Sequence, residues 1–474
     1  MARFDLPSLE EGQLKSWEEK GVLRRALDRQ DNPAGDFVFF EGPPTANGKP
    51  GIHHLLSRAF KDVILRFRSM QGYRIDRKAG WDTHGLPVEL EVEKQLGFTK
   101  KQDIEEYGIA EFNAKCQESV WKYLDLWRKS TRRVGFWIDL EDPYITYDNG
   151  YVETLWWILK EIDQKGLLYE GHRVTPHCPR CVTSLSSHEL AQGYKDTEDP
   201  SVFVKLELRD DPGRHLLIWT TTPWTLPANV AVAVGADITY AEVRLPGVEG
   251  TLILAKERLT ELGEEAELVA EMPGSELAGT GYRPLFATLP QDDPAAGGAY
   301  QAYEADFVST EEGTGIVHVA PAYGEDDAEL GRRFGLPTLH TVDATGTVTA
   351  EVPGQGKFFK DADAEISADL ESRGLMYRSG RYEHTYPFCW RCGTPLLYYA
   401  KGTWYIRMSE LRDRLQENNR EINWVPSHIQ EGRFGEWLRE VKDWALSRER
   451  FWGTPLPVWS CDGCGLNQTL GGLD

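Results

Sequence analysis

The apolar run Phe37-Val38-Phe39-Phe40 leads into a glycine- and proline-rich turn, Gly42 to Gly51, and then into a helical pattern. Within that pattern Leu56, Phe60, Val63, Ile64 and Phe67 recur at helical spacing, with Arg58, Lys61 and Arg66 on the remaining surface. Strand, glycine-containing turn and helix, in that order, open a doubly wound α/β domain. They also place its ligand site, because free amides and a positive dipole end meet where the turn joins the helix. Upstream, Ser8-Leu9-Glu10-Glu11 reads as a capping box for a helix that ends near Gly21.

Helical patterns dominate to about Gly166. From Ser201 to about Gly356 the character changes, with short strand-like runs at 202–206, 216–222, 230–234 and 316–319. Helical patterns resume near Asp361. Charge marks the same segment. Residues 196–380 hold 33 acidic and 13 basic residues, whereas the rest of the chain holds 42 and 40. The net charge of −22 therefore belongs almost wholly to the segment, and the flanks are neutral enough to bind an anion locally. The expected organisation is a largely β domain over 196–380, inserted into an α/β domain made of 1–195 and 381–474. No stretch approaches the ~20 apolar residues of a membrane span, and Met1 to Lys20 lacks the pattern of a secretion signal. The expected setting is the cytosol.

Six of the seven cysteines form Cys-x-x-Cys pairs: Cys178/Cys181, Cys389/Cys392 and Cys461/Cys464, with Cys116 alone. In a chain of this length without a signal, such pairs read as metal ligands. The first two pairs flank the acidic segment. Together they supply the four thiolates of a closed tetrahedral zinc site, with a redox role as the other reading. The third pair is a half-site with no partner pair left in the chain.

Gly42 to Lys49 superficially suggests a phosphate-binding P-loop, but five residues separate its glycines instead of four, and Pro50 replaces the magnesium-binding hydroxyl. Pro43-Pro-Thr-Ala-Asn-Gly-Lys-Pro-Gly-Ile-His53-His54 resembles instead the first signature of the class I aminoacyl-tRNA synthetases. Gly80-Trp-Asp-Thr-His-Gly-Leu-Pro-Val-Glu89 is similar to the isoleucyl members in particular, and Asp443 to Gly453 is a third matching stretch. The resemblance covers essentially the whole chain. It implies the first half of a Rossmann-like nucleotide-binding fold, a β-rich editing insertion and a four-cysteine zinc site. It also implies Mg-ATP and isoleucine as substrates and an isoleucine-accepting tRNA as partner.

Carried over residue by residue, Thr45, Asn47, Gly48, Gly51, His53 and His54 face ATP. Pro43 and Asp82 belong to the amino-acid pocket, where Asp82 pairs with the substrate ammonium. One departure stands out: the family's His-x-Gly-His is here Gly51-Ile52-His53-His54. Either His53 takes over from the missing first histidine, or adenine sits differently; the first is the reading preferred. In the insertion, Trp219 to Pro227 and Gly313 to Asp327 resemble the family's editing motifs. By that resemblance Asp327 binds the ammonium of a misattached amino acid, and Trp224 is an amino-acid-binding residue. Thr220, Thr221 and Thr222 hold the terminal adenosine and the attacking water, and His318 lines the pocket.

No Lys-Met-Ser-Lys-Ser-like loop, the family's second nucleotide signature, occurs in the 474 residues. The chain is expected to be an amino-terminal fragment, competent for editing but not for activation, with the remaining part of the enzyme as a partner. A stand-alone deacylase and a non-catalytic zinc-containing tRNA-binding module are the two competing readings.

Overall fold

In the computed structural model, residues 5–28, 31, 33–45, 48–263 and 265–473 are described; Asn47 of the signature turn lies outside them. The chain divides into two compact units, 1–167 with 450–474, and 168–449.

The first unit opens with α1 (Leu6–Glu19). Its cap is Asp5 rather than Ser8, because Pro7 already supplies the preset φ of a helical first turn; Ser8 Oγ instead donates to Asp5 Oδ2 (2.5 Å). The run containing Phe37–Phe40 is extended. It meets its neighbour at its two ends, through parallel bridges Asp36 to Arg74 and Thr45 to Asp82. Between them the chain crosses over through α2 (Ile52–Met70). Next comes β1 (Lys78–Trp81), whose parallel partner is reached through α3 (Leu86–Leu96), α4 (Ile109–Trp121) and α5 (Leu124–Arg133), and is β2 (Asp139–Ile145). Three parallel extended segments with helical crossovers form the expected βαβ arrangement. Gly80 is required there: a Cβ would lie 2.1 Å from the Tyr144 ring. The core gathers Trp81, Val88, Val92, Phe112, Cys116 and Trp127. Cys116 is one of these apolar neighbours, and burial pushes its thiol well up. After β2 comes α6 (Asn149–Gln164).

The helix α2 forms as its periodicity indicates, yet it turns the other way round. Leu56, Phe60, Val63, Ile64 and Phe67 are exposed, and Arg58 is buried at 6% exposure. The Arg58 guanidinium lies over the Trp127 ring (5.0 Å) and bonds Thr131 Oγ1. Trp127 and Thr131 together satisfy the cation and its long stem, so the basic residue faces inward.

In the second unit the strands are β3 (Leu168–Cys178), β4 (Tyr194–Glu207), β5 (Arg214–Thr220), β6 (Ala231–Val234), β7 (Thr239–Arg244), β8 (Thr251–Ala255) and β9 (Glu267–Pro273). They continue with β10 (Ala302–Glu304) and β11 (Ile316–Val319), then α7 (Glu325–Phe334), α8 (Phe359–Ser372), β12 (Met376–Pro387) and β13 (Leu397–Ile406). A six-stranded sheet runs in the order β9-β7-β8-β5-β4-β12, and a three-stranded one in the order β10-β6-β11. Strands β3 and β13 pair antiparallel from Leu168/Ile406 to His177/Leu397. The run expected as strand over 216–222 stops at Thr220. Pro223 cannot donate to a ladder, and a short 3₁₀ turn, Pro223–Ala228, takes over. That turn, between β5 and β6, builds one wall of the site.

Candidate functional site: a threonine-lined pocket

A cavity of about 450 Å³ in the second unit is lined by Thr220, Thr221, Thr222, Thr225, Tyr323, His318 and Asp327, with Ser309, Glu311 and Glu312 among its other lining residues. The three threonines leave the end of β5, His318 stands on β11, and Asp327 sits in the first turn of α7. Three separate elements thus converge on one cavity.

Their hydroxyls are chained. Thr220 Oγ1 lies 3.1 Å from Thr222 Oγ1, which lies 3.1 Å from Thr225 Oγ1, which lies 2.9 Å from His318 Nε2. The other ring nitrogen, Nδ1, is 3.0 Å from Asn229 Nδ2, and Tyr282 OH donates to Asn229 Oδ1 (2.6 Å). An amide NH₂ has only protons to offer, so Nδ1 accepts and Nε2 carries the hydrogen. Thr225 Oγ1 receives that hydrogen and passes its own to Thr222 O (2.8 Å). Burial also lowers the imidazole to about 4. His318 is therefore a neutral, fixed donor, and it has no vacant basic nitrogen with which to take a proton from water.

Asp327 has the opposite character. Burial pushes its carboxyl up to about 6, against the pull of the Ala320 N–H, which donates to Oδ2 (2.8 Å). At neutral pH it is a half-buried anion on the cavity wall, and such a group gains from an arriving cation. Gly324 makes room for it, since a Cβ there would lie 2.6 Å from Asp327 Cγ. Trp224 does not line the cavity. Its ring is buried against Tyr323 (4.9 Å) and Phe359 (4.7 Å).

In the first unit the signature residues gather at the start of α2. His53 and His54 rings lie 3.8 Å apart, and His54 Nδ1 accepts the Gly51 N–H (2.9 Å). Burial, then His53 and Arg58, lower the His54 imidazole. A Cβ on Gly51 would lie 2.8 Å from His53 Cε1, so a glycine is needed where both imidazoles fold back. Gly48 O accepts from Trp127 Nε1 (2.8 Å). Pro44 O accepts the Asp82 N–H (3.1 Å), and Thr45 Oγ1 reaches Asp82 Oδ2 (3.4 Å). The turn residues Pro43 to Thr45 and Asp82 are thus neighbours. Trp452 closes over the same loop: its Nε1 donates to Thr83 O (2.7 Å), while Arg450 forms a buried ion pair with both Glu89 and Glu93.

The sulfurs of Cys178, Cys181, Cys389 and Cys392 all lie within 4.8 Å of one another, a set that could hold a metal ion. Each pair sits in a tight turn, with the Cys181 N–H on Cys178 Sγ (3.4 Å) and Gly393 N–H on Cys389 O (2.8 Å). Cys461 and Cys464 are exposed at the tip of the hairpin 458–469 and join no such cluster among the described residues.

The family model for tRNA synthetases class I (I, L, M and V) matches residues 12–467. The chain belongs to that family. Among its curated relatives, the isoleucine–tRNA ligase of Dehalococcoides mccartyi is 53% identical over 503 residues, covering 100% of this chain and 49% of that protein. The isoleucine–tRNA ligase of Streptomyces coelicolor is 51% identical (97% of this chain, 44% of that protein), and that of Clostridium novyi 49% (98% and 44%). The chain thus spans about half the length of the relatives it matches. The first unit, which carries the signature-like turn before α2, is α/β, the fold class of that family. Thr225, Asn229 and Tyr282 complete the hydroxyl chain and were missed in the sequence. Thr225 stands in the same motif as Thr220–Thr222 and Asn229 two residues beyond its end, at spacings only a 3₁₀ turn brings together; Tyr282 is 53 residues past Asn229 and carries no local signal.

Proposed function

We propose that this chain carries the editing site of an isoleucine–tRNA ligase and hydrolyses valine wrongly esterified to an isoleucine-accepting tRNA. The observation that carries this reading is the cavity itself: a half-buried anion and a row of ordered hydroxyls line one space, with no nucleophile–base pair among them. Asp327 takes the α-ammonium of the amino acid. Thr221 and Thr222 orient the water that attacks the ester carbonyl, and the Thr220–Thr222–Thr225–His318 chain keeps those hydroxyls in one arrangement. Positioning and charge complementarity supply the rate. A hydrolytic step is needed because one methylene in an apolar pocket discriminates by only ~1–3 kcal/mol, a figure established on synthetases of this kind.

The turn before α2 is the corresponding half of an ATP site, with Thr45, Asn47, Gly48, Gly51, His53 and His54 facing the nucleotide and Pro43 and Asp82 the isoleucine. In this chain His53 stands in for the first histidine of the family signature. The four cysteines hold a structural zinc: a tetrahedral site with Zn–S near 2.3 Å places sulfurs about 3.8 Å apart, in keeping with the cluster seen. The acidic segment 196–380 is the editing domain.

Hydrolysis of valyl-tRNA by Thr221→Val and Thr222→Val variants tests the reading. Each is expected to slow kcat at least ~10-fold through the lost hydroxyl. Unchanged hydrolysis in both would remove these residues from the chemistry.

A further inference from the structure

Behind the 3₁₀ turn, a second group of ionisable side chains is buried that takes no part in the chemistry above. Helix α8 carries Asp363, 6% exposed, and its Oδ1 accepts the N–H of Trp224 at 2.8 Å. Trp224 stands at the head of the turn, between Thr222, which caps the turn, and Thr225, which receives the His318 hydrogen. Its ring is clamped by Tyr323 and Phe359, so the amide is the polar handle by which α8 grips this wall.

We propose that Asp363 is a positioning residue for the hydrolysis: through the Trp224 amide its carboxylate holds the turn that sets Thr222 and Thr225 in the pocket. This rests on the reading of that pocket as an ester-hydrolysing site. The surroundings make the grip dependent on charge. Burial pushes the Asp363 carboxyl up to about 7, and the Trp224 N–H and Lys360 pull against it, while Asp199 and Asp361 add to it. Lys360 and Asp361 come from its own helix and Asp199 from β4. From β12, Tyr386 lies beneath Lys360 (3.8 Å), and His384 Nε2 meets Asp199 Oδ2 (3.0 Å). Lys360 Nζ pairs with both Asp199 oxygens (2.7 Å each). A charged carboxylate holds an amide N–H roughly twice as strongly as a neutral acceptor does, so the turn is firmly held above neutral pH and loosened below it.

The test is kcat and KM for valyl-tRNA hydrolysis by the whole 474-residue chain between pH 5.5 and 8.5. Unaltered chain should lose about tenfold in kcat along a limb centred near pH 7, the ratio set by a charged against a neutral acceptor. Asp363→Asn, which keeps a neutral oxygen on the amide, should lose the limb near 7, keep only the fall toward pH 6 that Asp327 brings, and run about tenfold below the unaltered chain at pH 8, with KM within about twofold. Lys360→Gln removes the cation and should move the limb to higher pH. A merely structural Asp363 would leave the pH profile where it is. The proposal is overturned if Asp363→Asn retains the limb near 7 with full kcat. Should that variant fail to fold, a limb unmoved by Lys360→Gln overturns it equally. No hydrolysis by the unaltered chain would bring down the reading of the pocket, and this proposal with it, an outcome distinct from a defect confined to the variants.

Discussion

The threonine pocket and the signature turn hold similar residue types under opposite conditions. In the pocket, the hydroxyls, the imidazole and the amide of Asn229 are joined in one hydrogen-bonded chain, and β6 behind them is buried throughout. At the signature turn two imidazoles sit over Gly51, and the helix they begin exposes seven large apolar side chains along one face. A site whose shell is closed within one unit is pre-organised. A helix with an uncovered apolar face offers that surface to a further contact.

Altering the anion of the cavity should break that contrast most severely. Asp327→Ala is expected to lower kcat/KM for valyl-tRNA by ~10² or more, since removing one member of a buried, hydrogen-bonded charge pair costs about 2–5 kcal/mol; single-turnover hydrolysis measures it. Replacing Cys389 and Cys392 together by serine should take zinc from one per chain to none by metal analysis and lower the thermal midpoint of the second unit, because a structural site contributes folding free energy. Full zinc content in that variant would refute the four-cysteine site.

A moderate effect separates position from acid–base work at His318. His318→Gln keeps a donor toward Thr225 and should retain hydrolysis within about tenfold, whereas His318→Ala should lose more. Neither should remove a limb of the pH profile between 5.5 and 8.5, because the imidazole is neutral throughout that range. Loss of such a limb in His318→Gln would mean that the ring does move a proton.

Stability should move against activity. The carboxyls of Asp327 and Asp363 are both raised, to about 6 and about 7, so the folded state binds those protons more tightly than the unfolded chain. The stability they contribute is whole below about pH 4 and is lost as pH rises through 6 to 7. Asp363→Asn should therefore melt higher than the unaltered chain at pH 8, by an amount on the order of 2–4 kcal/mol, and no higher near pH 4. The same substitution that slows hydrolysis would stabilise the fold, the sign of a group kept for function. The smallest effect belongs to α2: Phe60→Ser on the exposed face should change stability by about 0.5 kcal/mol or less, while Arg58→Ala on the opposite face should cost several times more.

That last pair shows where reading the sequence stopped. The spacing of Leu56, Phe60, Val63, Ile64 and Phe67 establishes a helix, but periodicity fixes a face and not its direction. The inward turn of Arg58 depends on Trp127 and Thr131, some seventy residues away. The strand–turn–helix order was legible because glycine and proline punctuate it locally. Both cysteine pairs were legible from spacing alone, and four of the strands from their short apolar runs, whereas 239–244, 251–255 and 267–273, which complete the six-stranded sheet with 376–387, were not. Thr220–Thr222 could be marked as a motif, yet Thr225 and Asn229 became partners of His318 only once the 3₁₀ turn folded them inward. Asp363 carried no signal at all: an acidic residue on an acidic helix gives no hint that its carboxylate is buried against a backbone amide.

Hydrolysis of valyl-tRNA and of isoleucyl-tRNA by one preparation of the 474-residue chain, at saturating ester and beside Asp327→Ala, tests the pocket most directly. The expected result is release of valine well above the spontaneous rate, isoleucine released at least ~10-fold more slowly, and both rates near background in the variant. Valine release indistinguishable from the spontaneous rate, or release that survives Asp327→Ala undiminished, would contradict the assignment of hydrolysis to this pocket.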